Sequence, residues 1–288
     1  MSDDGRSTAV VIVLFGNPFS PSYARARARG ASRPLDYCAL HVALEGPLGR
    51  RWSLRERAVN DAARGRSALA IGASRVAWID DRIVMDIDET TTPGGLRLQG
   101  RVVLRAESLP GKAVSLDPGG DHHWWPAAPI ARATVDFREP PMRFEGHGYS
   151  DANAGRVPLD STFASWSWSR ARLDASRAVV GYDVVDRKGG ETTRTMVFDA
   201  SGTDCRAPMA RTRLPLSRWG LARRVNADEN ASARVIRPLE DGPCYARALV
   251  STRLFGREAV AIHEVLSGDR LRRAWVRFLL GFRMGRCG

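Results

Sequence analysis

Apolar and polar residues alternate with period two along most of this chain, the pattern of strands that bury one face. Ala9–Phe15 is an apolar run of strand length, and Tyr37–Leu44, Leu69–Ile71 and Val76–Ile79 follow it. Asp80-Asp81-Arg82 then turns the chain into Ile83–Ile87, and Leu96–Leu104 continues the pattern. Ala131, Ala133, Val135 and Phe137 share one face of a further strand, with Arg132, Thr134 and Asp136 on the other. Glu139-Pro140-Pro141 interrupts it, and Met142–Tyr149 resumes. The second half repeats the style. Phe163–Leu173 is a strand, Ala178–Val185 pairs with Thr193–Phe198 around Lys188-Gly189-Gly190, and Ala246–Leu254 pairs with Ala259–Leu266 near Phe255-Gly256-Arg257. Many short strands with polar turns predict an all-β protein of barrels or sandwiches. A length of 288 residues suits two domains, divided as 1–150 and 151–288.

Helical signals are few. Ser53–Arg64 suits a short helix or an irregular connection. The clearest helix begins at Asp269, a good N-cap residue. Leu271, Trp275, Phe278, Leu279 and Phe282 form its apolar stripe, with Arg270, Arg273 and Arg277 alongside. Such a stripe serves equally for packing on the barrel and for lying on anionic lipid.

Charge and composition narrow the partners. No stretch approaches the roughly 20 apolar residues that cross a bilayer. Ala9–Phe15 lacks the basic flank and cleavage site of a signal peptide, so the cytoplasm is the expected compartment. The net charge of +12 points to a polyanionic partner, and only two of 44 basic residues are lysine. With no nucleic-acid motif or continuous basic block, the expected partner is an anionic membrane surface touched peripherally, not nucleic acid. Arg25, Arg27, Arg29 and Arg33 form a basic loop suited to that contact. Cys38, Cys205, Cys244 and Cys287 lack metal or disulfide spacing and read as buried or idle thiols.

The chemistry concentrates between Asp121 and Arg170, which hold four of the eight tryptophans and three of the five histidines. The groups are His122-His123-Trp124-Trp125-Pro126, Gly146-His147-Gly148-Tyr149-Ser150-Asp151-Ala152-Asn153 and Trp166-Ser167-Trp168-Ser169-Arg170. On an extended strand Glu145, His147, Tyr149 and Asp151 share one face. Carboxyl groups beside tryptophans suggest an apolar pocket that holds a protonated acid at neutral pH. An ordinary solvated face is the alternative. Adjacent histidines point to opposite faces and no HxH or HxxxH pair is present, so no catalytic metal is expected. Nucleophile-elbow, P-loop and dinucleotide fingerprints are missing.

At these residues the chain resembles the carotenoid 1,2-hydratases, also called hydroxyneurosporene synthases. Phe19-Ser20-Pro21 with Tyr23 and Leu35–Leu44 resemble the family's N-terminal signature. His122 with Trp124-Trp125-Pro126, Gly146–Asn153 and Trp166–Arg170 resemble its central ones, and His263-Glu264 and Trp275–Leu280 with Phe282-Arg283-Met284 its C-terminal end. Two departures are Ser22 before Tyr23, and Ala154-Gly155 where distant relatives carry Trp-Gly.

The resemblance implies two lipocalin-like β-domains, shared with tocopherol-cyclase-like and AttH-like proteins. It also implies a cofactor-independent hydro-lyase acting on acyclic carotenes. His122, Trp124, Tyr149 and Asp151 carry over as catalytic residues, with Asp151 the proton donor. Trp125, His147, Trp166 and Trp168 are the expected substrate contacts. Asp151 would protonate the terminal alkene to a tertiary cation, which Trp124 would face and water would capture. The competing expectations are a terpenoid or chromanol cyclase using the same acid, and a non-catalytic lipocalin-like carotenoid carrier.

Overall fold

A computed structural model describes residues 1–30, 33–58, 60–200, 202–206 and 209–286. Strands make up 58% of it and helices 11%, so the all-β expectation holds. The chain divides into two compact units, each assembled from separate stretches. The first comprises Met1–Ala106, Ala131–Tyr149 and Arg277–Gly288, the second Glu107–Ile130 and Ser150–Val276.

The elements of the N-terminal half are β1 (Thr8–Leu14), α1 (Pro21–Ala28), β2 (Ala39–Gly46), β3 (Gly49–Glu56), β4 (Ala62–Arg64), β5 (Ala68–Ile71), β6 (Ser74–Ile79), β7 (Arg82–Thr90) and β8 (Arg97–Ala106). Then come β9 (Val114–Ser115) and two long strands, β10 (His122–Glu139) and β11 (Met142–Gly155). After α2 (Leu159–Thr162) come β12 (Phe163–Arg172), β13 (Ala178–Asp186), β14 (Glu191–Asp199), β15 (Gly202–Arg206), β16 (Ala210–Leu214), β17 (Arg223–Ala227), β18 (Arg234–Asp241), β19 (Tyr245–Leu254) and β20 (Arg257–Ser267). The chain closes with α3 (Gly268–Leu271), α4 (Ala274–Arg283) and β21 (Gly285–Arg286).

In the first unit, one sheet runs β1-β2-β3-β21 and the other runs from β11 and β10 through β8, β7, β6 and β5 to β4. Alternation decides its core. Leu40, Val42 and Leu44 of β2 join Ile83, Met85 and Ile87 of β7, Val102 and Leu104 of β8, and Ala133, Val135 and Phe137 of β10. One acid lies in a buried row, Glu89, which accepts hydrogen bonds from Arg57 and from Ser74 Oγ (2.9 Å).

In the second unit, a seven-stranded sheet runs β15-β14-β13-β12-β20-β19-β18, and β16 pairs with β17. One sheet face carries small aliphatics. Ala171, Val179, Val197 and Ala261 pack with Leu254 and Ala259, and Ala248 and Val250 pack against Leu214 and Val225 of the β16–β17 pair. His263 lies in this aliphatic face and is buried, with Nδ1 3.0 Å from the Trp168 carbonyl oxygen. A carbonyl only accepts, so Nδ1 carries a proton. Burial pushes its pKa down to about 4. An unfolded imidazole titrates near about 6.5, so protons favour the unfolded chain between these values. Stability should be level above about pH 6.5 and fall toward pH 4 by up to about 3 kcal/mol. Urea unfolding of a His263→Gln variant should show that part of the slope removed; an unchanged slope would assign it to other groups.

Several local expectations need correction. Ser53–Arg64 is neither helix nor irregular throughout, since its ends belong to β3 and β4. Trp52, Leu54 and Glu56 alternate as a strand demands. The expected basic loop begins as helix α1, where Ser20 caps Tyr23 N–H and Pro21 occupies the first turn. Arg25 and Arg27 therefore lie in its last turn. The terminal helix is two helices. Ser267, not Asp269, caps the first by accepting from Arg270 N–H. The expected single stripe is divided too: Leu271 is buried and Leu279 half-buried, whereas Trp275, Phe278 and Phe282 are exposed, and the buried positions of α4 are Val276 and Leu280, outside that stripe. Cys38 and Cys244 are buried, and Cys287 and the Cys205 side chain lie outside the described residues.

Candidate active site

The site is built where β10 begins and β11 ends, on stretches that both belong to the second unit. Alternation along β10 buries His122 and Trp124 and exposes His123 and Trp125. The His122 backbone N–H donates to Asp117 Oδ1 at 2.7 Å, which fixes the start of the strand. Its Nε2 lies 3.2 Å from Thr162 Oγ1, and its ring centre lies 4.8 Å from that of Phe163. Burial pushes the His122 pKa below the ordinary imidazole value, against the pull of Asp117 and Asp121. The ring is therefore neutral at neutral pH. Gly155 of β11 passes directly against it: a Cβ there would lie 2.4 Å from Nδ1, so no larger residue fits without displacing the imidazole.

Trp124 is fully buried, and its indole N–H donates to Asp151 Oδ2 at 2.7 Å. Its ring packs 5.6 Å from Tyr182 and 6.4 Å from Phe198, centre to centre. Tyr182 donates its hydroxyl to Asn153 Oδ1 at 2.9 Å. A chain of aromatic contacts continues from Tyr182 to Trp166 at 6.0 Å and from Trp166 to Tyr245 at 6.4 Å. These groups occupy the sheet face opposite His263 and the small aliphatics.

Strand register sets the polar groups of that face. Glu240, Arg247, Glu264, Trp168, Tyr182 and Arg194 stand directly opposite one another across five successive pairings from β18 to β14. Arg247, 1% exposed, donates through Nε to Glu264 Oε1 at 2.7 Å, with Glu240 Oε2 3.6 Å from its Nη1. Burial pushes the Tyr182 hydroxyl well above the ordinary phenol range, and the Asp151 and Glu264 carboxylates add to this. Arg170 donates to the Pro129 carbonyl and Arg194 to that of Ser115, which ties residues 107–130 to the sheet.

The expected residues therefore separate. Trp124, Asp151 and Trp166 meet through Tyr182. Trp168 is in the same cross-strand row, and His122 shares the buried face of β10 with Trp124. Trp125 does not join them; it is 40% exposed and its indole N–H donates to the Gly111 carbonyl at 2.9 Å. His147 and Tyr149 lie on β11 in the first unit, where His147 Nε2 is 3.5 Å from Asp3 Oδ1. A cavity of about 580 Å³ in that unit is lined by Asp3, Arg132, Met142, Phe144 and Glu145 and by none of the expected residues. Among the described residues, no three His, Cys, Asp or Glu side chains converge as metal ligands.

Comparison with known proteins gives this arrangement a context. Residues 11–288 match the family model described as carotenoid hydratase CrtC. The chain is 40% identical to the acyclic carotenoid 1,2-hydratase of Thiocapsa roseopersicina over 100% of its length and 71% of the relative's. Identity to the Rubrivivax gelatinosus protein of that name is 37%, over 99% and 71%. For the Cereibacter sphaeroides protein it is 32%, over 96% and 98%. The chain belongs to the CrtC carotenoid hydratase family. A crystal structure of an AttH protein from Nitrosomonas europaea superposes with a TM-score of 0.61 at 17% identity, covering 81% of each chain, which supports the lipocalin-like fold.

Within this carotenoid hydratase, sequence reasoning did not single out Tyr182, Tyr245, Arg247 or Glu240, and it noted Glu264 only as part of a resemblance. Their positions carry no local motif. A usable signal was the placement of charged or phenolic residues inside apolar strands, such as Tyr245-Ala246-Arg247-Ala248-Leu249.

Proposed function

We propose that the protein adds water across the terminal C1=C2 double bond of acyclic carotenes such as neurosporene and lycopene. The observation that carries this reading is the Trp124–Asp151 hydrogen bond inside an aromatic cluster of a carotenoid hydratase family chain. An isolated alkene is a weak base, so hydration begins with proton transfer from a positioned acid. Asp151, in its carboxylic acid form, protonates C2 and leaves a tertiary cation at C1. The faces of Trp124 and Tyr182 shield that cation, an interaction worth about 2 kcal/mol in a water-poor site. Neutral His122 holds the surrounding hydrogen bonds in place. Water then attacks C1 and loses a proton. Carbon gains a proton and a hydroxide equivalent with no net electron transfer, so the reaction needs no redox cofactor.

Expression in a lycopene-accumulating bacterium tests the reading, with the expectation of 1-hydroxy products that carry oxygen from labelled water. A cyclised product without solvent oxygen would favour the cyclase alternative. Stoichiometric binding without turnover would favour the carrier.

Carotenes reside in bilayers, so the protein must meet the membrane, and we place it peripherally on the cytoplasmic face. No helix among the described residues is long and apolar enough to cross a bilayer. Helix α4 instead exposes Phe278 (67%) and Phe282 (69%) beside Trp275, while Val276 and Leu280 turn inward. Arg272, Arg273 and Arg277 flank these aromatics and suit an anionic surface. Vesicles containing phosphatidylserine should bind the protein in a salt-sensitive manner. A Phe278→Ala/Phe282→Ala double variant should bind at least about tenfold more weakly. Equal binding of the two proteins would remove α4 from the contact.

A further inference from the structure

Capture of the carbocation by water on the face turned away from Asp151 calls for a second polar centre, because the Asp151 carboxylate reaches only the face that it protonates. The water must be held close to C1, and its surplus proton must leave as the C–O bond forms. A water molecule in an apolar site requires polar partners of its own. The sheet face that carries Tyr182 supplies such a centre. Glu264 stands opposite Trp168, and Trp168 opposite Tyr182, so the Glu264 and Tyr182 backbones lie two strands apart, about 10 Å. Tyr245 precedes Arg247 by two residues and shares its face, and Trp166 bridges the Tyr182 and Tyr245 rings.

Asp151 and Glu264 are set apart by their partners. Asp151 meets a neutral indole N–H, whereas Glu264 meets the buried guanidinium of Arg247 at 2.7 Å. A guanidinium fixes the orientation of a carboxylate through a charge-assisted hydrogen bond. Arg247 also lies over the Tyr245 ring, 5.4 Å from its centre, and Glu240 balances its remaining side. Arg170 and Arg194, also on this face, are turned to the Pro129 and Ser115 carbonyls.

Resting on the Asp151 reading, we infer that Glu264 is the base of the hydration, holding the attacking water together with the Tyr245 hydroxyl and taking its proton. The step balances as follows. The C1=C2 π pair takes the Asp151 proton at C2. A lone pair of water forms the O–C1 bond, and one O–H bond breaks with its proton passing to the Glu264 carboxylate. Proton exchange with solvent resets both acids. Arg247 is a positioning residue that keeps the Glu264 carboxylate aimed.

Turnover of lycopene in liposomes, in deuterated water, separates the two halves of the reaction. A cation that forms but is not captured loses a proton, returning lycopene deuterated at C2 or its isomer with a terminal C1 methylidene. Glu264→Gln should lower hydration about 100-fold, while deuterium continues to enter recovered lycopene at near the wild-type rate. Tyr245→Phe, which leaves the Arg247–Glu264 pair intact, should lower the hydration-to-exchange ratio about tenfold by removing one hydrogen bond to the water. Hydration retained within threefold in Glu264→Gln would overturn the assignment. Parallel loss of hydration and exchange in a folded protein would overturn it too. Should Glu264→Gln fail to fold, Tyr245→Phe decides, and an unchanged ratio in that variant refutes the proposal. Failure of the Asp151 reading is distinct: Asp151→Asn would then still exchange deuterium.

Discussion

Replacing Asp151 with asparagine should yield a folded protein that hydrates lycopene about 10²- to 10⁴-fold more slowly, the range that a lost general acid typically produces. Asparagine matches aspartate in shape, and its amide oxygen still accepts the Trp124 indole N–H, now made to Asp151 Oδ2 at 2.7 Å. The packing around Trp124 is therefore kept, and the midpoint of thermal unfolding should move by only a few degrees. What is lost is the acidic proton, since an amide N–H is far too weak an acid to protonate an alkene. Product formation followed by chromatography, beside a melting curve, checks both halves. A variant that melts normally and keeps more than a tenth of its activity would remove Asp151 from the donor role.

Trp124 should show the largest effect on stability. It is the largest fully buried side chain described, and truncation to alanine leaves a cavity against Tyr182 and Phe198. Such large-to-small changes destabilise by about 3–5 kcal/mol. Trp124→Ala also deprives Asp151 of its N–H partner. Trp124→Phe loses the same hydrogen bond but keeps an aromatic face, so it should be destabilised by only about 1–2 kcal/mol. Its activity should exceed that of Trp124→Ala by about tenfold, from the retained cation–π attraction. Urea titration and initial rates of hydration measure the two effects. Equal loss of activity in both variants, at equal folded fraction, would argue against a role for the ring face.

Strands were legible wherever a turn of fixed chemistry joined two alternating runs. Asp80-Asp81 between β6 and β7, Lys188–Gly190 between β13 and β14, and Phe255-Gly256 between β19 and β20 all stand where the sequence places them. Helix α1 escaped because its Ser-Pro start is followed by arginine and alanine without an apolar stripe; only the cap signalled it. The stripe of α4 was legible as a helix but not by face. Buried Val276 and Leu280 and exposed Phe278 and Phe282 are equally apolar, and periodicity alone cannot tell which side packs.

The same limit applies to the site. His122 and Trp124 lie two apart on one strand, so the sequence pairs them. Trp124 and Asp151 are 27 residues apart, and their contact depends on how β10 and β11 meet. Glu264, Arg247 and Tyr182 come from three strands, and only the register across the sheet assembles them.

The interleaved route of the chain has a consequence for synthesis on the ribosome. Residues 107–130 are made before the rest of the second unit, yet belong to it, and the first unit draws in β21, which runs parallel to β3. The second unit is not complete before Val276 has been made, nor the first before β21. Until then the nascent chain must carry unpaired strand edges, a state prone to aggregation. Chaperone demand during expression should accordingly exceed that of a protein whose units are contiguous.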